Sequence, residues 1–394
     1  MDMQIKQLHA EVEFRLAEIE RVGREFARPN ADDVDIKSRF PIEAINALKA
    51  IGLFASPIPK QFGGVGADPV ELARGCAILG QHCSATASVV AMHHTQILSA
   101  VHHANGDANL EDYLRRAAIE NRLIASVTSE VGPGGDMRSS SCAVALTGDT
   151  YQLTKKATTI SYGSYADDLM ITCCRSADAA PSDQAFVLAE RGNFELQDQG
   201  VWDTLGMRGT CSPPATVVAH GAAWQVFKTP FAEIASYTMV PTSHIFWSSW
   251  WYGLALDAVN KCRELLRAKA RASGGNMPLG AHRVADIVAE LQRIEMEVFG
   301  MAREYADALE ANDTQKLSSI AYALRINTLK LNSSKNVVAL VTEALGVCGI
   351  QAYKNNGPFS LGRHLRDAHS SVMMVHNDRI QQTNAALLMI HKGN

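Results

Sequence analysis

The sequence has no run of about 18 consecutive apolar residues, the length a helix needs to cross a bilayer. It has no surplus of positive charge either. Its 37 basic residues face 41 acidic ones, for a formal net charge of −4, whereas phosphate binding needs clustered Lys and Arg. Nucleic acid is therefore not expected as a main partner, and the final Ile390-His391-Lys392-Gly393-Asn394 adds no basic tail. The 8 cysteines contain no CxxC pair, and Cys173-Cys174 are adjacent rather than spaced for a metal. Reduced thiols in a cytoplasmic protein are the expectation, with no bound metal. The amino-terminal Met1-Asp2-Met3-Gln4-Ile5-Lys6 lacks the apolar segment and small-residue cleavage site of a secretory leader. Neither a membrane nor an export route enters the reading.

What is present is an ordinary globular composition, 47% apolar and 20% charged over 394 residues, long enough for two or three packed subregions. Residues 1–121 read as helices. Ile5, Leu8, Val12, Leu16, Ile19, Val22 and Phe26 form one apolar stripe at helical spacing. A short helix ends at Gly52, and Pro57 to Gly66 carries too many Gly and Pro for anything but a loop. Asp68-Pro69 restarts a helix as N-cap and first-turn proline. Between 122 and 235 the segments turn short and β-prone, at 123–127, 143–146, 169–174, 185–188 and 215–218, separated by Gly, Asp, Ser and Pro. They do not alternate with long helices, so a doubly wound nucleotide-binding sheet is excluded. Gly132-Pro133-Gly134-Gly135 precedes no amphipathic helix, which removes Rossmann and P-loop readings. From 236 to 394 helices return. Val284, Ile287, Val288, Leu291, Ile294, Val298, Met301, Tyr305 and Leu309 mark a stripe about seven turns long, the length of a bundle helix. The expected fold is mainly α with a small central β domain.

That order resembles the acyl-CoA dehydrogenase superfamily, and motifs along the chain carry the resemblance: Ile51-Gly52-Leu53-Phe54 with Gln61-Phe62-Gly63-Gly64, Ala125-Ser126-Val127-Thr128-Ser129-Glu130, Leu205-Gly206-Met207-Arg208-Gly209-Thr210, Glu343 to Gly349, and Arg363-His364-Leu365-Arg366-Asp367-Ala368. The resemblance implies an α-helical domain, a β-barrel-like domain and a C-terminal four-helix bundle, assembled as a homotetramer with FAD at subunit interfaces. A flavin needs polar partners at its ring edge and a cation for its pyrophosphate. By similarity Val127, Thr128, Gly135, Thr159, Ser161 and Asn377 would surround the ring, and Arg271, Gly346 and Gly349 the pyrophosphate and adenosine. Val347 stands where the family usually has a second glycine.

Three departures bear on the chemistry. The family's dehydrogenases remove an α proton with a glutamate a few residues after Arg-Asp-Ala, and an ungapped reading puts Val375 there, with His376 next. A minority carry the base on the first bundle helix, but Ser243 to Gly253 contains no carboxylate. Thr159 replaces the tryptophan that commonly screens the flavin. Members that act as flavin monooxygenases place histidines and a serine around the reactive edge of the ring. His93 or His94, Ser161 and His376 would make such an oxygen-handling set, since imidazole moves protons near pH 7. Trp247, Trp250 and Trp251 share a helix with His244, and their spacing puts the three indoles on one face. They are read either as core or as a wall for an aromatic or cyclic acyl group.

The sequence thus points to an FAD-dependent oxidoreductase acting on an acyl thioester of CoA or a carrier protein, with oxygen or an electron-transfer partner. Two alternatives stay open at this stage: α,β-dehydrogenation with His376 or Asp378 as a displaced base, and an inert flavin-binding scaffold.

Overall fold

The computed structural model describes residues 2–104, 106–132 and 138–392, with side chains from residue 6 onward. The chain begins with α1 (Asp2–Val22), a π turn at Gly23–Ala27, α2 (Arg28–Ile36) and α3 (Ile42–Ala50). The α1 stripe is buried at Leu16, Ile19 and Val22, whereas Leu8 is exposed. Next come α4 (Pro69–His82), α5 (Ser84–His103) and α6 (Ala108–Glu120). Asp68 caps α4 as its composition dictates, its carboxylate accepting from Glu71 N at 2.8 Å.

Seven strands follow: β1 (Ile124–Val127), β2 (Ala145–Thr147), β3 (Thr150–Ala157), β4 (Asp168–Cys174), β5 (Gln184–Glu190), β6 (Phe194–Gln197) and β7 (Ala215–Ala222). They form two sheets, of order β1-β4-β5 and β2-β3-β7-β6. β1 runs parallel to β4 in a register that pairs Val127 with Ile171; every other pair is antiparallel. The sheets face each other and are stitched by β3 side chains. Tyr151 Oη donates to Leu188 O at 2.9 Å, and the buried Lys155 Nζ donates to Thr172 O at 2.6 Å.

Helices resume with α7 (Phe231–Ile234), a second π turn at Ala235–Met239, α8 (Val240–Ala272), α9 (Arg283–Glu310), α10 (Thr314–Leu317), α11 (Ile320–Cys348), α12 (Ile350–Tyr353), α13 (Gly362–His369) and α14 (Asn377–Ile390). The long helices α8, α9 and α11 pack on one another, and α14 closes on α11. The α9 stripe is buried at Ile287, Leu291, Ile294, Val298, Met301 and Tyr305. One apolar core runs from Leu16 through the strands to Ala368. Helix α8 is seated against α4 at a reciprocal glycine notch. A Cβ on Gly80 would lie 2.4 Å from Trp250 O, and one on Gly253 would lie 2.0 Å from Ala77 O, so only glycine permits this approach. No helix among the described residues is long and apolar enough to cross a membrane, and all eight cysteines are free thiols.

Candidate functional site

β1 ends at Val127, whose side chain is buried, so only its backbone is available to a ligand. Beyond it the chain is pinned to the segment after β3. Ser129 Oγ donates to Thr159 O at 2.7 Å and accepts from Thr159 N at 3.0 Å. The same segment is clamped by Tyr162, whose Oη donates to Ile124 O at 2.9 Å and whose N donates to Thr210 O at 2.8 Å. Val127, Thr128, Thr159 and Ser161 therefore share one shelf, with Thr159 exposed and Thr128 and Ser161 half-buried. Gly135 lies outside the described residues.

A chain of hydroxyls runs under the shelf. Thr210 Oγ1 and Ser212 Oγ are 2.8 Å apart, and Ser212 Oγ donates to Ser161 Oγ at 2.9 Å. Ser161 is thus an acceptor toward the protein and keeps its own proton to donate outward. A donor so oriented, beside backbone groups on an open shelf, fits the polar edge of a flavin. Thr210 and Ser212 were not legible as site residues; the local Thr-Cys-Ser run after Arg208-Gly209 was the available signal.

The two histidines of α5 part company. His93 is fully buried and both ring nitrogens serve the backbone: Nε2 pairs with Phe54 O at 2.8 Å, and Nδ1 accepts from Ile124 N at 3.1 Å. Burial lowers its pKa to about 4, with the Phe54 carbonyl opposing. A ring committed at both nitrogens cannot shuttle protons, so His93 is corrected to a structural pin between the 51–58 loop and β1. His94 is equally buried but its Nδ1 has no partner, and its ring lies edge-on to Phe246 at 6.1 Å.

Val375 adopts φ +44, a left-handed conformation that is strained for a β-branched residue. It is held there from below. Lys330, fully buried on α11, donates to Val375 O at 3.0 Å and to Asn377 Oδ1 at 2.6 Å, with its ammonium 5.9 Å from the centre of the Trp251 ring. Ser334 exchanges further bonds with the Asn377 amide at 3.2 and 3.1 Å. Asn377 is therefore spent on fixing the start of α14 and is corrected from flavin contact to loop anchor. Burial pushes the Lys330 ammonium down to about 7. Sequence reasoning missed Lys330, although a lysine between Leu329 and Leu331 on an apolar helical stripe was a readable anomaly.

His376 is exposed at the N-cap of α14, its Nδ1 accepting from Asp378 N at 3.3 Å and 3.7 Å from the Asp378 carboxylate. No described hydrogen bond or ring contact joins it to Ser161 or His94. No carboxylate occupies the Val375 position or the Ser243–Gly253 stretch of α8. The next acid on α8, Asp257, is engaged by His364 at 2.7 Å and Arg28 at 2.8 Å.

The indoles do not act as one wall. Trp250 and Trp251 are fully buried, the former beneath Gly80 of α4 and the latter under Lys330 of α11, so both are corrected to core. Trp247 is only partly buried, with its Nε1 unpartnered, and stays the candidate to border a substrate. His244 is buried, its Nδ1 3.3 Å from Ile326 O and its pKa lowered to about 3 mainly by burial, which gives it to the helix packing.

Arg271 is exposed in the last turn of α8, and no described ion pair engages it. Gly346 is exposed on α11 beside Arg283. Gly349 ends α11 at φ +67, ψ −145, a conformation reserved for glycine. These three lie on the bundle, and within one chain nothing described links them to the shelf.

Residues 10–120 match the acyl-CoA dehydrogenase N-terminal domain family. A curated relative, cyclohex-1-ene-1-carbonyl-CoA dehydrogenase of Geobacter metallireducens, is 23% identical over 399 residues, covering 98% of this chain and 100% of the relative. Among solved structures, dibenzothiophene monooxygenase from Paenibacillus sp. A11-2 superposes with a TM-score of 0.78 at 16% identity, over 97% of this chain and 98% of that one. Butyryl-CoA dehydrogenase from Megasphaera elsdenii gives 0.78 at 17% identity, over 96% and 98%. Likeness at such identities is a likeness of fold, and this fold serves both dehydrogenases and a monooxygenase. The chain thus carries the acyl-CoA dehydrogenase N-terminal domain at residues 10–120 and has the fold of the acyl-CoA dehydrogenases along nearly its whole length.

Proposed function

We propose that the chain is an FAD-dependent oxidoreductase that acts on an acyl group carried as a thioester, and that its reaction uses dioxygen rather than an electron-transfer protein. The observation that carries this reading is the loop at 374–377. At the position of the family's usual base stands an aliphatic side chain on strained backbone, anchored by Lys330 and Asn377. With no carboxylate on the adjoining stretch of α8, α-proton abstraction lacks a base of the ordinary kind.

A flavin supplies hydride acceptance and, once reduced, reaction with oxygen. The residues that would hold it are the Val127 backbone, Thr128, Thr159 and Ser161 at the ring, with Arg271, Gly346 and Gly349 toward the pyrophosphate and adenosine. Since the last three lie apart from the shelf, the reading requires copies of this chain to complete one another's sites. Ser161, oriented by the Ser212 hydroxyl that donates to it, would direct its own proton to the ring edge. Thr159, small and exposed, leaves the ring open on the side that an indole would close. His376 is the solvent-facing group able to give or take a proton at Nε2. Trp247 borders the acyl group, and an aromatic or cyclic acyl would gain about 1 kcal/mol from stacking there.

Incubation of the purified protein with CoA thioesters of aromatic and cyclic acids under labelled dioxygen is the test. Label in the product is expected. Absence of label together with turnover by an artificial electron acceptor would favour the second reading, desaturation of a cyclic acyl thioester, for which the full-length relative acting on cyclohex-1-ene-1-carbonyl-CoA speaks. In that case His376→Ala or Asp378→Ala should abolish enoyl product. Colourless protein that takes up no FAD would overturn both.

A further inference from the structure

A cavity of about 460 Å³ lies among α1, α4, α5, α6 and the loop from Ile51 to Val65. Neither the shelf residues nor α8 nor residues 374–377 line it. Its volume is that of a small-molecule site, and Leu53, Leu72 and Val90 give it apolar walls. A Cβ on Gly52 would meet nothing within 4 Å, so the wall is open at that position.

The polar side chains around the cavity are accounted for, except one. Arg15 forms a two-pronged ion pair with Glu71 at 2.6 and 2.8 Å. Glu18 pairs with Arg21 at 2.8 Å. Ser56 Oγ donates to Leu53 O at 2.7 Å, and Asn121 Oδ1 accepts from Ala55 N at 3.2 Å. His94 alone is unspent. It is 1% exposed, lines the cavity, and makes no hydrogen bond to any described residue, with its Nδ1 buried and unpartnered. Buried polar atoms in native proteins are paired, so an orphan nitrogen on a ring that lines a void marks a missing partner. Burial keeps this imidazole neutral near pH 7, able to donate at one nitrogen and accept at the other. Arg15 and Glu71 cancel each other, which leaves the chamber without net charge to offer an ion.

We propose that this cavity binds an uncharged, largely apolar molecule with one hydroxyl, carbonyl or N–H group, which pairs with His94. The site is separate from the flavin shelf, and the proposal does not rest on the flavin reading.

Isothermal titration of the full-length purified protein with 2-naphthol and with naphthalene tests it. Naphthol should bind about fivefold more tightly than naphthalene, the worth of one net hydrogen bond. His94→Leu should abolish that preference while naphthalene still binds, and Val90→Phe should fill the chamber and exclude both. Neither compound should shift a flavin absorbance band or be displaced by a CoA thioester. Failure of both compounds to bind, an unchanged naphthol preference in His94→Leu, or displacement by the thioester would each overturn the proposal. Should Val90→Phe not fold, as judged by circular dichroism, the His94→Leu comparison decides alone.

Discussion

Replacing His93 by Phe removes the partner of two buried backbone groups, Phe54 O and Ile124 N. Each buried group left unpaired costs about 1–3 kcal/mol, so urea denaturation should show a loss of about 2–6 kcal/mol. His94→Leu abandons no partner and should stay within about 1 kcal/mol of the parent. Equal losses would contradict the division of labour between them. Lys330 supplies a second test, through pH. Its folded pKa of about 7 lies below its ordinary value of 10.5, so between these values the unfolded chain binds more protons than the folded one. Stability from this group therefore rises with pH across that window, by up to about 1.4 kcal/mol per unit. The parent should gain on Lys330→Met between pH 7 and 10 in paired denaturation curves. The sequence showed that α5 carries two histidines and that Val375 replaces an acid. It could not show which imidazole the backbone claims, because that is decided by Phe54, 39 residues away.

At the level of elements, the strand region depends on a charge pair at its centre. Lys155 of β3 and Glu130 are 3.5 Å apart and buried, and the carboxylate also accepts from Ser140 Oγ at 2.6 Å and from the backbone N of Ser141 and Cys142 at 2.8 and 2.9 Å. Burial works to raise the Glu130 pKa, but these bonds prevail and hold it below the usual range. Glu130→Ala strands a buried ammonium and should cost about 3–5 kcal/mol. The double variant Glu130→Ala with Lys155→Met should recover part of that loss in a thermodynamic cycle; strict additivity would refute the coupling. The same lysine explains why β3 was not expected from sequence. Tyr151, Leu153, Lys155 and Ala157 point inward while Gln152, Thr154 and Lys156 point outward, and a charged residue on the inner face hides the alternation. β6 was missed for another reason: it is a four-residue edge strand with no fully buried position. The long α9 stripe was legible because its apolar residues follow the helical period, and β4 and β5 because they are short continuous apolar runs buried on both faces; the strand expected at 143–146 lies instead at Ala145–Thr147.

For the whole molecule, the fold class follows from the order of helix, strand and helix, and the continuous core shows why the parts cannot be pulled apart. Asp367 on α13 accepts from Met207 N at 2.7 Å, tying the bundle to a loop of the strand region. Burial raises that carboxyl to about 6, with Arg363 opposing. The C-terminal helices leave Tyr353, Leu388, Met389 and Ile390 largely exposed, apolar area of the kind that assembly covers. If the tetramer that the proposed shared flavin site implies covers this area, sedimentation should give a particle about four times the 42.7 kDa chain mass, and Met389→Asp should shift it toward smaller species. A monomer at micromolar concentration would remove both the tetramer and the shared flavin site.

The notch at Gly80 and Gly253 sets a limit on how this scaffold could be adapted. Two backbones in van der Waals contact can neither slide nor rotate without collision, so the axis of α8 is a fixed ruler beside the proposed acyl site. On the proposed function, a change of acyl size would come from trimming or enlarging single side chains such as Trp247, whereas a bulkier residue at either glycine collides with backbone and should unfold the protein.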